Sequence, residues 1–381
     1  MELKDIREKI SAIDEKFAGL FEERMRISEQ VAAYKMENNM PVYDASRERD
    51  VLCRVSDLVS EDMRSYVQNL YRTVFDLSKA RQIVLLGKNS KTEQAIRKAM
   101  EETPPLFPTH GTVACQGIEG AYSQQACEKI FPELPSLVYF RTFDGVFTAV
   151  EQGLCEYGVL PIENSTYGSV NAVYDLMRRH RFHIVRSLLL PVRHCLLAKK
   201  GVKLEEITEV FSHEQGLGQC AAFLKAHPHI KATVCENTAV AARMVAQSDR
   251  SDVAAISSRN CAELYSLSTL SDEIVDSDNN YTRFICITKD MKIYPGANRI
   301  SLMLSLPHVS GALADLLSKF SAVGVNIVKL ESRPIPGTNF SFRFYLDAEG
   351  DPADEKVRSL IGSLVDESDE VTLLGCYTNQ I

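Results

Sequence analysis

The sequence predicts three folded segments in one chain of 381 residues: an all-α segment, a two-lobed α/β segment and a small α+β segment. Three observations carry this. Apolar residues in the first hundred positions recur at helical steps of three and four, with no convincing strand among them. From Gly111 to about Asp290, short apolar runs alternate with helical stretches. From about Asn298 the order becomes strand, helix, two strands, helix, strand. A chain of this length can build two or three separate cores.

In the first segment a long helix is expected to about Met36, because Leu3, Ile6, Ile10, Ile13, Phe17, Leu20, Ile27, Val31 and Tyr34 form one apolar stripe. Pro41 breaks it, and Asp44 can cap a second helix carrying Val51, Leu52, Val55 and Val59. A third runs from near Ser60 past Gln82. The proline-rich "TPPLFPTHG" at 103–111 cannot continue a helix and reads as a linker. The expected partition is a helical domain over 1–100, a linker over 101–111, an α/β domain over 112–291 and a terminal domain over 298–378.

Strands of the α/β segment are expected at "TVACQG", "LVYF", "YGVLPI" and "FHIVRSLLL", then at "EVFS", "KATVCE", "DVAAIS" and "RFICITK". About 180 residues suit two lobes with a ligand cleft between them. In the last segment "RISLMLSL", "NIVKLESRPI", "NFSFRFYLD" and "EVTLLGCY" are strands, while "GALADLLSKFSAVG" and "DEKVRSLIGSLVDES" are helices. That βαββαβ order is the ferredoxin-like split unit.

Composition narrows the function. With 43 basic against 51 acidic residues the formal charge is −8, which argues against a broad nucleic-acid surface, so an anionic ligand must meet local cations. Ten scattered cysteines without a CxxC pair point to reduced thiols in a cytoplasmic protein rather than disulfides or zinc. No run of about 18 apolar residues is present, so no membrane partner is expected. Neither a metal nor a cofactor is implied by any motif.

Arg24 interrupts the apolar stripe of the first helix. Either it is buried and meets an anion, or the seam drifts to Phe21 and Met25 and Arg24 lies on the rim. Arg7 and Lys35 share one flank of that helix but stand 28 residues apart, or ~42 Å at ~1.5 Å per residue, too far for one small ligand. Antiparallel pairing of two such helices would bring Arg7 of one chain toward Arg24 and Lys35 of the other. Arg47 and Glu48 open the second helix, and Ser78 and Gln82 lie one turn apart on the third. Taken singly these are ordinary surface residues; together they describe a pocket for a dicarboxylate.

"REKISAIDEK", Arg24, Lys35, "PVYDASRERD" and the Ser78/Gln82 pair resemble the all-helical chorismate mutases. The resemblance implies that Arg7 from a partner chain, Arg24, Lys35, Asp44, Arg47, Glu48, Ser78 and Gln82 bind chorismate. Its rearrangement to prephenate is intramolecular and needs no nucleophile, base or metal. It needs the compact conformer held and donors placed at the breaking ether oxygen, with Lys35 and Gln82 as catalytic residues.

Four polar clusters follow expected strands of the middle segment: "GIEGAYSQQA", "PIENSTYGSV", "SHEQGLGQC" and "NYTRF". One contains a decoy, since Gly216-x-Gly218-x-x-Ala221 with Glu236 imitates a dinucleotide fingerprint, although "HEQ" separates the strand from the first glycine. "PIENSTYGSV", "SHEQGLGQC" and "TRF" at 282–284 are similar to the prephenate dehydratases, a family whose fold is two-lobed and periplasmic-binding-protein-like. That similarity implies prephenate binding by Asn164, Ser165, Ser212, His213, Gln219, Thr282 and Arg283, with Thr282 assisting departure of the ring hydroxyl as carbon dioxide leaves. Glu214 stands where many relatives have proline, which leaves the shape of that loop open.

"GALADLL" and "ESRPIPG" resemble the ACT regulatory domain that follows such dehydratases. The resemblance implies an allosteric phenylalanine site made by Gly311, Ala312, Leu313, Glu331, Ser332, Arg333 and Pro334 between two chains. The expected protein is therefore a bifunctional mutase and dehydratase inhibited by L-phenylalanine, acting as a homodimer or as paired dimers in a tetramer. Two other readings stay open: a mutase fused to a non-catalytic sensor of small anions, and a mutase fused to a nicotinamide-dependent prephenate dehydrogenase.

Overall fold

The computed structural model describes residues 3–38, 45–87, 90–133, 135–272, 274–335, 341–366 and 368–380. The chain forms two compact units, Met1–Glu101 with Ala297–Leu374, and Glu102–Gly296 with Gly375–Ile381. The first therefore joins the two ends of the sequence.

Its N-terminal part is helical: α1 (Leu3–Glu37), α2 (Ala45–Asp57), α3 (Arg64–Gly87) and α4 (Lys91–Glu102). A short 3₁₀ turn, Glu61–Met63, leads into α3. Helix α4 is separated from α3 and starts where Ser90 Oγ accepts the Glu93 amide at 2.9 Å, the Ser-x-x-Glu pattern of an N-terminal cap. The apolar stripe of α1 is not buried within the chain: Leu3 is 63% exposed, Leu20 66% and Tyr34 62%. The face turned to α3 instead carries Arg24, Met25 and Ser28, with Ala32 buried beside them.

The second unit opens with β1 (Thr112–Gln116), α5 (Tyr122–Ile130), β2 (Ser136–Phe140), α6 (Phe143–Glu151), β3 (Tyr157–Asn164), β4 (Gly168–Ser169), α7 (Asn171–Met177) and β5 (His183–Pro191). The chain then crosses to a second sheet through β6 (Cys195–Ala198), β7 (Glu209–Ser212), α8 (Glu214–Gly218), α9 (Ala221–Ala226), β8 (Lys231–Val234), α10 (Thr238–Gln247), β9 (Val253–Ser257), α11 (Asn260–Leu264) and β10 (Ser268–Ser271), and returns as β11 (Tyr281–Thr288). The first sheet has the order β5-β11-β3-β1-β2, and the second the order β10-β6-β9-β7-β8. Each has its own core, the first around Phe131, Val159 and Phe284, the second around Leu197, Val245 and Ile256. The proline-rich stretch contributes Phe107, whose ring packs on the first core with the Arg186 guanidinium 3.6 Å over it. Strands β4, β6 and β10 were not expected from the sequence, and β8 stops at Val234, short of Glu236.

The last segment follows the expected order: β12 (Arg299–Ser305), α12 (Ala312–Val323), β13 (Asn326–Pro334), β14 (Phe342–Glu349), α13 (Glu355–Asp366) and β15 (Val371–Gln380). Its sheet runs β13-β14-β12-β15, so β13 is an edge strand. Helices α12 and α13 pack on α3. At this seam Glu93, buried on α4, meets Arg358 of α13 at 3.1 Å. Among the described residues no helix is long and apolar enough to cross a membrane.

Candidate active sites

Arg24 projects from α1 toward α3, where its Nη1 donates to Ser78 Oγ at 2.7 Å and its guanidinium lies 5.7 Å from the Phe75 ring centroid. Burial pulls the Arg24 pKa below its ordinary value, with Tyr71 opposing, but an arginine keeps its charge under such a shift. One turn beyond Ser78, Gln82 Nε2 donates to Ser28 Oγ at 2.7 Å, while Gln82 Oε1 is buried without a partner among the described residues. Between the three helices is a cavity of about 520 Å³, lined by Arg24, Lys35, Arg47, Glu48, Ser78 and Gln82 among others. Six of the eight expected chorismate ligands thus share one cavity. Arg7 is not among its lining residues and lies beside another hollow on the first turns of α1; Asp44 lies outside the described residues.

The cavity also holds two cations that sequence reasoning passed over, Arg54 and Lys79. Lys79 Nζ sits 3.0 Å from Asp76 and 3.4 Å from Glu48. Burial lowers the Lys79 pKa, but Asp76, Glu48 and Asp315 outweigh it and the net shift is upward. The signal was available, since Lys79 follows Ser78 and Asp76 precedes it by one turn.

In the second unit Asn164 ends β3 and Thr282 is the second residue of β11, and the two are cross-strand partners. Asn164 Nδ2 lies 3.1 Å from Thr282 Oγ1 and 2.9 Å from Asn280 Oδ1. Ser165 ties the same corner: its hydroxyl donates to Asn279 O at 2.7 Å and accepts the Tyr281 amide at 2.9 Å. Gln219 donates to Asn280 Oδ1 at 3.4 Å and meets His194 Nε2 at 2.9 Å. Burial pushes the His194 pKa down to about 4 against the raising effect of that hydrogen bond, so the ring is neutral at physiological pH.

The other expected residues do different work. Ser212, fully buried, gives its hydroxyl proton to Ile256 O at 2.7 Å and so joins β7 to β9. His213 caps α8, its Nδ1 accepting the Gln215 amide at 3.2 Å. Arg283 lies opposite Glu163, with Nε 3.3 Å from its carboxylate. Glu214 is the first residue of α8, a position that proline also suits because no helical hydrogen bond uses its N–H. The decoy glycines lie within α8, where a Cβ at Gly216 would press on Ser212 Oγ and one at Gly218 would collide with the Tyr167 hydroxyl. They therefore sit against side chains inside a short helix rather than in a phosphate-binding turn. Sequence reasoning missed His194 and Asn280; the latter stood inside the quoted "NYTRF", while the former carried no signal.

At the start of α12, Gly311 adopts φ +94°, and Ala312 and Leu313 line a hollow of about 150 Å³ with Leu306, Val309, Phe342 and Phe344. Glu331, Ser332, Arg333 and Pro334 lie on edge strand β13 and do not line it.

Residues 6–83 match the family Chorismate mutase type II, and residues 113–292 match Prephenate dehydratase. Over 386 residues, 98% of this chain and 95% of the other, the sequence is 31% identical to the bifunctional chorismate mutase/prephenate dehydratase of Enterobacter agglomerans. The chain belongs to the bifunctional chorismate mutase/prephenate dehydratase family. It is an enzyme with two catalytic parts, a mutase that forms prephenate from chorismate and a dehydratase that converts prephenate to phenylpyruvate. The chain is also 35% identical, over 81% of its length and 87% of the other, to arogenate dehydratase/prephenate dehydratase 2 of Arabidopsis thaliana. Among solved structures, prephenate dehydratase from Arthrobacter aurescens in complex with L-Phe aligns with a TM-score of 0.64 at 27% identity, covering 70% of this chain and 89% of that one.

Proposed function

We propose that the helical cavity is the mutase site and that the Asn164–Thr282 corner is the dehydratase site. The observation carrying the first assignment is the gathering of Arg24, Lys35, Arg47, Glu48, Ser78 and Gln82 around one cavity. The arginines and Lys35 take the two carboxylates of chorismate, and Glu48 takes its hydroxyl. Gln82 can serve the ether oxygen, because the Ser28 hydroxyl both donates and accepts. Turning the Gln82 amide over keeps the Ser28 bond and replaces an orphaned buried oxygen by an N–H donor.

In the dehydratase step the bond to the ring carboxylate breaks and its electron pair enters the ring. The C–O pair leaves with the hydroxyl, giving phenylpyruvate, carbon dioxide and hydroxide. Thr282 stabilises that hydroxide by hydrogen bonding, Asn164 and Gln219 orient the substrate, and Arg283 steadies the strand end. Ser165, Ser212 and His213 shape the site through backbone contacts.

The exposed stripe on α1 supports a homodimer in which a second α1 covers it and supplies Arg7, since an apolar face of that length is not left in water. The hollow at α12 and the open edge of β13, where Val328 and Leu330 are exposed, support a regulatory ACT domain that binds L-phenylalanine between two chains. Three domains, over 1–100, 112–291 and 298–378, follow the change of element pattern along the chain, and a cytoplasmic setting fits the ten free cysteines.

Supplying chorismate and following prephenate and phenylpyruvate, with and without L-phenylalanine, tests the whole reading. Both products should form, and phenylalanine should slow the second. Nicotinamide reduction instead of phenylpyruvate would overturn the dehydratase assignment, and binding of either anion without turnover would favour a sensor.

A further inference from the structure

The Thr282 hydroxyl ends a buried chain of polar side chains whose direction is fixed link by link. Asn164 Oδ1 accepts the backbone N–H groups of Thr166 at 2.9 Å and Tyr167 at 3.0 Å. An amide oxygen held by two donors sets the amide, so Nδ2 faces the other way. There it donates to Asn280 Oδ1 at 2.9 Å and reaches Tyr281 O at 3.2 Å and Thr282 Oγ1 at 3.1 Å. Asn280 must therefore present oxygen to Asn164, and Gln219 Nε2 approaches that same oxygen at 3.4 Å. Gln219 Oε1 is thereby turned to His194 Nε2, 2.9 Å away, which must carry the hydrogen. His194 Nδ1 is left as the bare nitrogen, 3.3 Å from the Tyr122 hydroxyl, and Tyr122 donates to Arg193 O at 2.6 Å.

The consequence lies at the near end. An amide nitrogen cannot accept, so Thr282 Oγ1 is the acceptor from Asn164 and its own hydrogen must point elsewhere. Among the described residues no acceptor takes that hydrogen. His194 is 2% exposed and Asn280 3%, positions where apolar side chains would pack without the cost of burying polar groups. Asn280 Nδ2 is buried without a partner among the described residues.

We infer that Asn280 and His194 are positioning residues for the dehydration, holding the Thr282 hydroxyl, through Gln219 and Asn164, as a donor toward the departing hydroxyl of prephenate. This rests on the dehydratase site proposed above. The test compares His194→Leu, which removes the N–H, with His194→Gln, whose amide N–H occupies the place of Nε2, in the full-length enzyme. His194→Leu should lower dehydratase kcat by about tenfold or more with KM for prephenate changed less than about threefold, because the lost interaction acts in the transition state. His194→Gln should recover most of that loss, and mutase activity should stay unchanged in both as a check on folding. Should His194→Leu fail to fold, Asn280→Ala breaks the chain one link nearer and carries the same expectation. The inference is overturned if kcat stays near wild type, if the loss falls on KM, or if His194→Gln is as impaired as His194→Leu. Thr282→Val separates the two levels: an active Thr282→Val enzyme removes the site itself, whereas an inactive one beside a fully active His194→Leu removes only the positioning role.

Discussion

Glu93 Oε1 receives Arg358 Nε at 3.1 Å and Arg97 Nη2 at 2.8 Å, so a carboxylate near the start of the chain is neutralised by an arginine near its end. Burial alone would raise the Glu93 pKa, but the two arginines bring it below the ordinary value. Arg358 is itself largely covered, while Arg97 is more than half exposed. Removing one partner of a buried pair strands the other charge, so Arg358→Met should destabilise the first unit by roughly 3 kcal/mol. Arg97→Ala should cost well under half of that. Urea denaturation followed by mutase activity measures both, and equal losses would count against a buried pair.

Arg24→Ala should abolish mutase turnover and leave prephenate dehydration largely intact, since Arg24 serves the helical cavity alone. A loss of about a hundredfold or more is expected when a charged ligand of a substrate carboxylate is removed. Near-normal conversion of chorismate would dismiss the cavity as the mutase site.

Arg7 lies outside the cavity that holds Lys35. Arg7→Ala and Lys35→Ala enzymes, each inactive as a mutase, should regain part of the activity when mixed and allowed to exchange subunits. One shared site in each mixed dimer then keeps both residues. If labelled subunits exchange and no activity returns, Arg7 does not act across an interface.

His194 has a folded-state pKa of about 4, against an ordinary value of 6.5. Above pH 6.5 the ring is neutral in both folded and unfolded chains and stability is unaffected. As the pH falls from 6.5 toward 4 the unfolded chain takes up a proton that the folded one refuses, and roughly 3 kcal/mol of stability is lost. His194→Gln should flatten this dependence. Denaturant midpoints at pH 7 and pH 4.5, read by dehydratase activity, give the comparison; parallel curves for the two proteins would show that His194 is not the titrating group.

Gly311 has a positive φ, and its surroundings leave room for a Cβ. A valine there is strained by its backbone rather than by a clash, at a cost of about 1–3 kcal/mol, and the N–H groups at the start of α12 would be re-aimed. Gly311→Val should keep both activities and lose L-phenylalanine binding by calorimetry. Wild-type affinity in the folded variant would place the ligand elsewhere.

The order of strands and helices was legible wherever apolar spacing was unambiguous, as in "RISLMLSL" and "GALADLLSKFSAVG". Strand β6 was not: its "CLLA" is short and follows β5 after only Val192, Arg193 and His194, and spacing does not show that the chain crosses there to another sheet. The α1 stripe was correctly seen as apolar, but spacing cannot say whose surface covers it. At the sites, chemistry-bearing residues beside strand ends were visible in sequence, whereas their division of labour was not. Ser212 and Thr282 look alike as hydroxyls, yet one proton is tied to Ile256 and the other to no described acceptor. His194 stayed hidden because its role depends on Gln219, 25 positions away in the chain.

The first unit is discontinuous, built from Met1–Glu101 and Ala297–Leu374. During synthesis its opening helices leave the ribosome with roughly 250 residues still to be made before Arg358 appears among their packing partners, a delay on the order of 13–50 s at ordinary elongation rates. Through that interval Glu93 has no Arg358, and the apolar stripe of α1 is already in solution beside the stripes of neighbouring nascent chains. Two ribosomes on one message would bring such stripes together before either protein is finished, so the dimer pairing proposed for α1 could begin while translation is still under way.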